Sequence, residues 1–239
     1  MSVHLRVSRS RQGDGKPHFD RFEVEAEPGA TLLDALLSVR RLRDASLVVR
    51  HSCMHASCGT CGVRVNGREA LACDTRVADL PSGRPITVEP LRNQRVVADL
   101  ATDMVDFYAR FEPAGMPLVR ASEACPKAVP PSGIKAFGRF ENCIECGLCL
   151  SACPISQADR AYIGPAGLAA AARAVAEPRG VDLGPALALA AEPDSVWRCR
   201  DAMACTAVCP SAVEPARALL TLRRHVAWRG LKRFIRREA

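Results

Sequence analysis

Hydrophobic and polar residues alternate along two segments near the N-terminus, from His4 to Val7 and from Arg21 to Ala26. Because successive side chains of a strand point to opposite faces, this alternation predicts two β-strands. Ile86 to Val88 is predicted to form a further short strand. The segment from Val63 to Gly67 predicts a hairpin, because its Asn-Gly pair tolerates the positive φ of a tight turn. A small sheet is therefore expected in the first part of the chain.

Helical patterns appear in several other segments. Thr31 and Asp34 form a capping-box pattern, with Asp in place of the usual Glu, which predicts the start of a short helix. Apolar residues from Val97 to Phe111 recur at helical spacing and predict a longer helix. Gly164-Pro165 and Pro215 each open a helix-forming run, and proline is favoured in the first helical turn. The second part of the chain is therefore predicted to be mostly helical.

Composition and charge narrow the class of protein. The chain has 239 residues, of which 48% are hydrophobic and 25% charged, as expected of a folded globular protein. No apolar run is long enough to span a bilayer, and the N-terminus shows no secretory signal. The net charge of +7 is moderate and aromatic residues make up only 5%, so nucleic acid is not expected as a partner. Without a secretory signal, clustered cysteines indicate metal or redox chemistry rather than disulfides.

Twelve cysteines carry the strongest functional signal, and eleven of them fall into two groups on either side of a predicted domain boundary near residue 95. The N-terminal group is Cys53, Cys58, Cys61 and Cys73, and the C-terminal group is Cys143, Cys146, Cys149, Cys153, Cys199, Cys205 and Cys209. Cys125 stands alone between them and is interpreted as a small buried hydrophobic residue. Residues 112–138, rich in Pro and Gly, are predicted to form an irregular connection.

The N-terminal group has the spacing of a plant-type [2Fe–2S] site. The motif Cys53-x4-Cys58-x2-Cys61, with Cys73 farther along the chain, supplies four thiolates, and soft sulfur ligands suit iron held with inorganic sulfide. Small residues within the loop are expected to let backbone N–H groups point at the cluster. The alternative is a zinc site with four cysteine ligands. Such sites usually carry two Cys-x-x-Cys knuckles, and only one is present here.

The C-terminal group contains two related runs. Cys143 to Pro154 reads Cys-x2-Cys-x2-Cys-x3-Cys-Pro, the bacterial ferredoxin pattern in which the fourth cysteine ligates the other cluster. Cys199 to Pro210 repeats this pattern, except that Ala202 stands where Cys146 corresponds. Exchange of the fourth cysteines gives one complete ligand set for a [4Fe–4S] cluster, which consists of Cys143, Cys146, Cys149 and Cys209.

The remaining set, Cys153, Cys199 and Cys205, is one ligand short. Because an alanine methyl group cannot coordinate iron, a [3Fe–4S] cluster is predicted there. A [4Fe–4S] cluster with water or substrate on one iron is the alternative. Two unrelated zinc sites are a further alternative, against which the Cys-x3-Cys-Pro ending shared by both runs argues.

These motifs together resemble the iron–sulfur subunit of succinate dehydrogenase and fumarate reductase, over nearly the whole chain. Beyond the cysteines, the resemblance includes Tyr162 to Leu168, Val196 to Cys199 and Pro215 to Arg217. It implies an α+β chain with an N-terminal β-grasp plant-type ferredoxin domain over residues 1–95. An all-α two-cluster ferredoxin domain is then expected over residues 96–239.

The resemblance also implies a function, that of the electron-transfer subunit of a succinate:quinone oxidoreductase or quinol:fumarate reductase. Electrons would pass through the three clusters between the FAD of a partner flavoprotein subunit and a membrane quinone. Dicarboxylate chemistry would take place on the flavoprotein, so no catalytic acid or base is expected here. Membrane anchor subunits are the other implied partners. The expected location is peripheral, at the cytoplasmic face of a bacterial or archaeal cell membrane, and the ligands alone do not determine the physiological direction.

The quinone side departs from the family's pattern. No Trp follows the first Cys-Pro, and Arg200 and Ser211 stand where the family often has His and Lys. Pro154, Arg200 and Ser211 are therefore the candidates for residues near the quinone. The basic segment from Arg217 to Arg237 is predicted to contact a membrane anchor subunit or anionic lipid headgroups, although a solvated helix face has the same pattern.

Two other functions fit part of the sequence. One is an iron–sulfur electron carrier for another flavoenzyme, such as a 2-hydroxyacid oxidase or a thiol-linked fumarate reductase. Those relatives often carry an additional cysteine-rich C-terminal domain, which is not expected after Ala239. The other is a zinc-stabilised scaffold protein, which would contain zinc and lack visible absorption and acid-labile sulfide.

Overall fold

The computed structural model describes residues 1–11, 16–114, 140–176 and 184–238, and it divides into two compact units. Unit 1 comprises Met1–Met104 and Ile144–Ala152, and unit 2 comprises Val105–Cys143 and Cys153–Ala239. Unit 1 continues past residue 95 to Met104 and includes the segment with Cys146 and Cys149, while the domain ranges 1–95 and 96–239 stay a prediction. Cys125 and most of the predicted irregular connection lie outside the described residues.

The order of strands and helices largely agrees with the order that the sequence patterns predicted. The strands are β1 (Ser2–Arg9), β2 (His18–Glu25), β3 (Gly62–Val65), β4 (Arg68–Leu71), β5 (Ile86–Glu89), β6 (Val96–Ala98) and β7 (Ala101–Thr102). The helices are α1 (Leu32–Leu42), α2 (Val105–Tyr108), α3 (Leu148–Ala152), α4 (Pro154–Ala158), α5 (Gly164–Val175), α6 (Gly184–Ala191), α7 (Ala204–Ala207) and α8 (Pro215–Glu238).

Unit 1 is built on a five-stranded mixed sheet in the order β2-β1-β5-β3-β4. β1 is antiparallel to β2 and parallel to β5, and Leu5 is paired with both Phe22 and Ile86. Inward-facing residues of β1 alternate with exposed ones, so Val3, Leu5 and Val7 are buried. The helix α1 adds Leu32, Leu33, Leu36 and Val39 to the same core. The described part of unit 1 is therefore an α+β structure.

Local signals in the sequence are confirmed at the ends of these elements. The Thr31 Oγ1 accepts a hydrogen bond from the Asp34 N–H at 3.2 Å, and the Asp34 carboxylate accepts one from the Thr31 N–H at 2.9 Å. This is the predicted capping box at the start of α1. Asn66 and Gly67 take φ values of 50° and 87° between β3 and β4, as the predicted hairpin requires.

The helix predicted from Val97 to Phe111 is wrong over its first half. The strands β6 and β7 pair there as a short hairpin, and helix begins only at Val105. The reason lies in Asp99, which is 1% exposed and adopts φ 45° between the two strands. Its carboxylate accepts hydrogen bonds from the Arg9 side chain at 3.1 Å and from the Val48 N–H at 2.8 Å. These distant partners outweigh the local helical pattern.

Unit 2 is helical in its described residues. The alanine-rich helix α5 packs against α6 and α8, and Leu168, Leu219 and Leu222 are among its most buried side chains. Pro165 and Pro215 each stand in the first turn of a helix, as predicted. The Arg173 guanidinium, 3% exposed, is paired with Glu141 at 2.6 Å. Among the described residues, no helix has the length and apolarity to cross a membrane.

Candidate metal centres

In the loop that carries the first cysteine motif, backbone N–H groups donate hydrogen bonds to the cysteine sulfurs. The Ala56 N–H donates to the Cys73 Sγ at 3.2 Å, and the N–H groups of Ser57 and Cys58 donate to the Cys53 Sγ at 3.3 Å each. Met54 and Ala56 reach these positions with φ near 60°, which is uncommon for residues other than glycine. The loop thus presents backbone N–H groups to sulfur, as its small residues led us to expect.

The four thiols of this motif form two pairs. The Cys61 and Cys73 sulfurs are 3.3 Å apart and both residues are buried, whereas Cys53 and Cys58 contact each other and are half-buried. Backbone N–H groups, that of His55 foremost, lower the pKa of Cys53 to about 7. Burial raises the pKa of Cys61 to about 12. Two irons with two thiolates each suit this arrangement, because a bound cation can replace the proton of a buried thiol.

The second motif begins with three half-buried thiols, Cys143, Cys146 and Cys149. In unit 1 the backbone turns sharply on both sides of Cys146, since Glu145 and Gly147 take φ values of 53° and 74°. The flanking side chains of Leu148 and Leu150 are 1% exposed. A soft donor set on a tightly turned, buried backbone fits an iron–sulfur cluster.

In unit 2, Cys153, Cys199 and Cys205 lie close enough together to influence one another. Burial raises the pKa of the Cys205 thiol to about 11, and the neighbouring Cys153 and Cys199 add to this increase. The side chain of Tyr162 is 1% exposed, and its pKa is raised mainly by burial, with smaller contributions from the same three cysteines. Tyr162 lies in a segment that carries the family resemblance, but the cysteine spacing does not predict its place near these thiols.

Ala202 occupies a backbone position like that of Cys146. Asp201 and Met203 have φ values of 56° and 57°, so Ala202 lies between two left-handed residues, as Cys146 does. The spacing-based alignment of the two runs is therefore matched by the local backbone. Within the described residues, no group of three or more His, Cys, Asp or Glu side chains is arranged to hold a single metal ion.

Arg223 supports the loop that carries Cys199. Its guanidinium donates to the carbonyls of Val196 and Cys199, each at 2.9 Å, and approaches Asp201 at 3.3 Å. In the sequence, Arg223 stands out only as part of the basic segment. No spacing signal reveals this contact, because it joins α8 to a loop more than twenty residues earlier.

The quinone-side candidates lie beside predicted ligands in the chain. Pro154 is the first residue of α4, after Cys153, and Arg200 follows Cys199; both are exposed, whereas Ser211 is half-buried. In the part of the chain that the structure describes, no hydrogen bond joins any two of the three. Their role stays a prediction.

Two models of known protein families match this chain, one in each of its two parts. A family model described as a 2Fe-2S iron-sulfur cluster binding domain matches residues 4–109. A second, described as a 4Fe-4S dicluster domain, matches residues 139–213. The two matches contain all eleven cysteines of the three motifs.

Individual relatives extend over nearly the whole chain. The fumarate reductase iron-sulfur subunit of Mycobacterium tuberculosis is 34% identical over 98% of this chain and 96% of its own length. The succinate dehydrogenase iron-sulfur subunit of Coxiella burnetii is 37% identical over 88% and 90%. Among solved structures, a chain of the Mycobacterium smegmatis Sdh1 complex in the apo form matches with a TM-score of 0.78 and 27% identity. That match covers 95% of this chain and 96% of the other.

Proposed function

The chain belongs to the family of iron–sulfur subunits of succinate dehydrogenases and fumarate reductases, and from this premise we propose a three-cluster path between a flavoprotein and a quinone. It is an electron-transfer subunit of an oxidoreductase with 2Fe-2S and 4Fe-4S domains. The clusters supply one-electron carriers when bound, and the chain supplies ligands, hydrogen bonds and burial. We assign unit 1 a β-grasp ferredoxin fold, which its mixed sheet and the helix α1 support.

The first cluster is assigned to Cys53, Cys58, Cys61 and Cys73. The pairing of the thiols supports one iron on Cys53 and Cys58 and the other on Cys61 and Cys73. The N–H groups of Ala56, Ser57 and Cys58 stabilise negative charge on the sulfurs, which favours the reduced state of the site.

The second and third clusters are assigned to the two runs. Cys143, Cys146, Cys149 and Cys209 are the ligands of the [4Fe–4S] cluster, and Cys153, Cys199 and Cys205 those of the [3Fe–4S] cluster. The proximity of the last three thiols in unit 2 supports the third set. The observation that carries the three-iron assignment is Ala202, which occupies the position of a missing ligand.

The remaining partners are inferred from the relatives, which are named as subunits of succinate dehydrogenase and fumarate reductase. We propose a flavoprotein subunit with FAD on one side, and membrane anchor subunits with a quinone on the other. Pro154, Arg200 and Ser211 are the quinone-side candidates. The chain would then lie peripherally at the cytoplasmic face of a bacterial or archaeal membrane, which the basic helix α8 supports.

One experiment tests partners and clusters together. The chain, affinity-tagged and purified without oxygen from its own organism, is expected to bring down a flavoprotein and hydrophobic anchor subunits. The preparation should contain acid-labile sulfide, and the oxidised sample should show a [3Fe–4S] EPR signal near g of about 2. A preparation with zinc and no labile sulfide would refute the proposal. A complex with labile sulfide but without that signal would refute only the third-cluster assignment.

A further inference from the structure

Within unit 1, the loop of the first cysteine motif and the segment Ile144–Ala152 meet at a glycine. A Cβ atom at Gly59 would lie 2.6 Å from the Ile144 carbonyl oxygen and 2.8 Å from the Cys146 Cβ. Gly59 also has φ +71°, which other residues rarely adopt. Cys58, one residue earlier, is a predicted ligand of the first cluster, and Cys146 is a predicted ligand of the second. The two ligand-bearing backbones therefore touch without an intervening side chain.

The segment is held in this place by buried polar contacts. The Ser151 hydroxyl donates to the Glu69 carboxylate at 2.9 Å and accepts from the Arg92 N–H at 2.9 Å. The Asn93 side chain donates to the Leu150 carbonyl at 2.7 Å. Both Glu69 and Ser151 are buried, so each of these groups would be costly to leave unpaired. The contact at Gly59 is thus a fixed part of unit 1.

We propose that Gly59 is a positioning residue that sets the separation of the first and second clusters, and that the Cys58–Gly59 backbone and Cys146 form the path between them. The inference rests on the proposed function. One electron leaves the reduced first cluster, which is oxidised, and enters the oxidised second cluster, which is reduced. No bond is made or broken and no residue of the chain exchanges a proton. The absence of a side chain at position 59 is what permits the approach.

The test substitutes Gly59→Ala in the full chain, purified with its clusters. A methyl group there meets backbone atoms, which cannot swing aside as a flexible side chain can, so the two loops must separate. The readout is the microwave power that half-saturates the EPR signal of the reduced first cluster, because a nearby reduced second cluster speeds its relaxation. The half-saturating power is expected to fall toward that of an isolated first cluster. Iron and labile sulfide are measured in the same samples.

Two further variants separate distance from stability. Gly83→Ala has the same unfavourable backbone, with φ +81°, but nothing lies within 4 Å of its new methyl group, so the EPR relaxation should not change. Gly62→Val is the second test variant: position 62 has no left-handed φ, and a Cβ atom there already lies 3.3 Å from the Cys146 carbonyl oxygen, so the larger side chain must push the same segment away. It is expected to lower the half-saturating power, and it tests the inference if Gly59→Ala loses the first cluster.

The outcomes distinguish this inference from the proposed function. A wild-type chain without signals from both clusters would overturn the proposed function and this inference with it. A wild type with both signals, together with unchanged relaxation in every cluster-retaining variant at positions 59 and 62, overturns the inference alone. Reduced relaxation at these two positions but not at position 83 supports it.

Discussion

Ala202 is the residue on which the proposed type of the third cluster depends. Its neighbours Asp201 and Met203 hold the backbone in the same left-handed turns that Glu145 and Gly147 form around Cys146. The conformation suited to a ligand is therefore retained while the sulfur is missing. Under the proposed ligand sets, a thiolate at this position would complete the third site without rearrangement of the backbone.

We predict that Ala202→Cys converts the third cluster from [3Fe–4S] to [4Fe–4S]. The oxidised variant should lose the EPR signal near g of about 2 and gain about one iron per chain, with unchanged labile sulfide. Ala202→Gly is the control, because it removes the methyl group without adding a ligand and should keep the signal. A Cys variant that retains both the signal and the iron content of the wild type would contradict the ligand assignment.

Among the elements, the end of β1 is connected to three others by a single buried arginine. Arg9 is 6% exposed and pairs with Asp20 in β2, Asp44 after α1 and Asp99 between β6 and β7. Hydrogen bonds from Ser46 and Arg9 hold the pKa of Asp44 well below its usual range. The stabilisation from Asp44 is therefore present at neutral pH and is lost as the pH falls through this lowered pKa.

We predict that Asp99→Ala destabilises unit 1 strongly, because it leaves part of the Arg9 charge and the Val48 N–H without a partner. The expected cost is about 3 kcal/mol, or a decrease in the thermal midpoint of about 6–12 °C for a chain of this size. Asp79→Ala is the matched control, since its ion pair with Arg76 is 69% exposed on both sides. The control should change stability by less than about 1 kcal/mol. Equal midpoints for the two variants would show that the Arg9 cluster is not a stabilising centre.

At the scale of the whole molecule, the helix α8 has a buried first part and an exposed later part. Leu219 and Leu222 pack into unit 2, whereas Trp228, Leu231 and Ile235 are 61%, 48% and 57% exposed. These three lie on one helix face, and the cations of the same segment have no acidic residue among them before Glu238. Apolar residues, an aromatic ring and positive charges together are typical of contact with a membrane surface.

We predict that deletion of residues 229–239 releases the subunit from membranes of the cell that expresses it, as measured by sedimentation. Arg229→Gln with Lys232→Gln tests the charges alone and should weaken membrane association about thirtyfold at low salt. Arg40→Gln with Arg41→Gln, an exposed pair on α1, is the control and should have no effect. Undiminished sedimentation of the deleted chain would count against a membrane role for α8.

The sequence predicts several features of this protein, because each of them depends on residues that are close together in the chain. Cysteine spacing indicated the 2Fe-2S and 4Fe-4S motifs, the Asn-Gly pair predicted the β3–β4 hairpin, and the capping box predicted the start of α1. The helix starts at Gly164-Pro165 and at Pro215 followed from the fixed φ of proline. Each signal depends on the conformation of one short segment.

Only the tertiary structure decided what depends on residues far apart in the chain. The hydrogen bond from Arg9 to Asp99 joins residues 90 positions apart, and it stabilises a hairpin where the sequence pattern predicts a helix. Arg223 reaches back to the Cys199 loop, and the segment with Cys146 packs against Gly59 in unit 1. A sequence pattern records what each residue prefers locally. It does not record which distant carboxylate, carbonyl or glycine will become its neighbour, and those contacts set the surroundings of the predicted ligands.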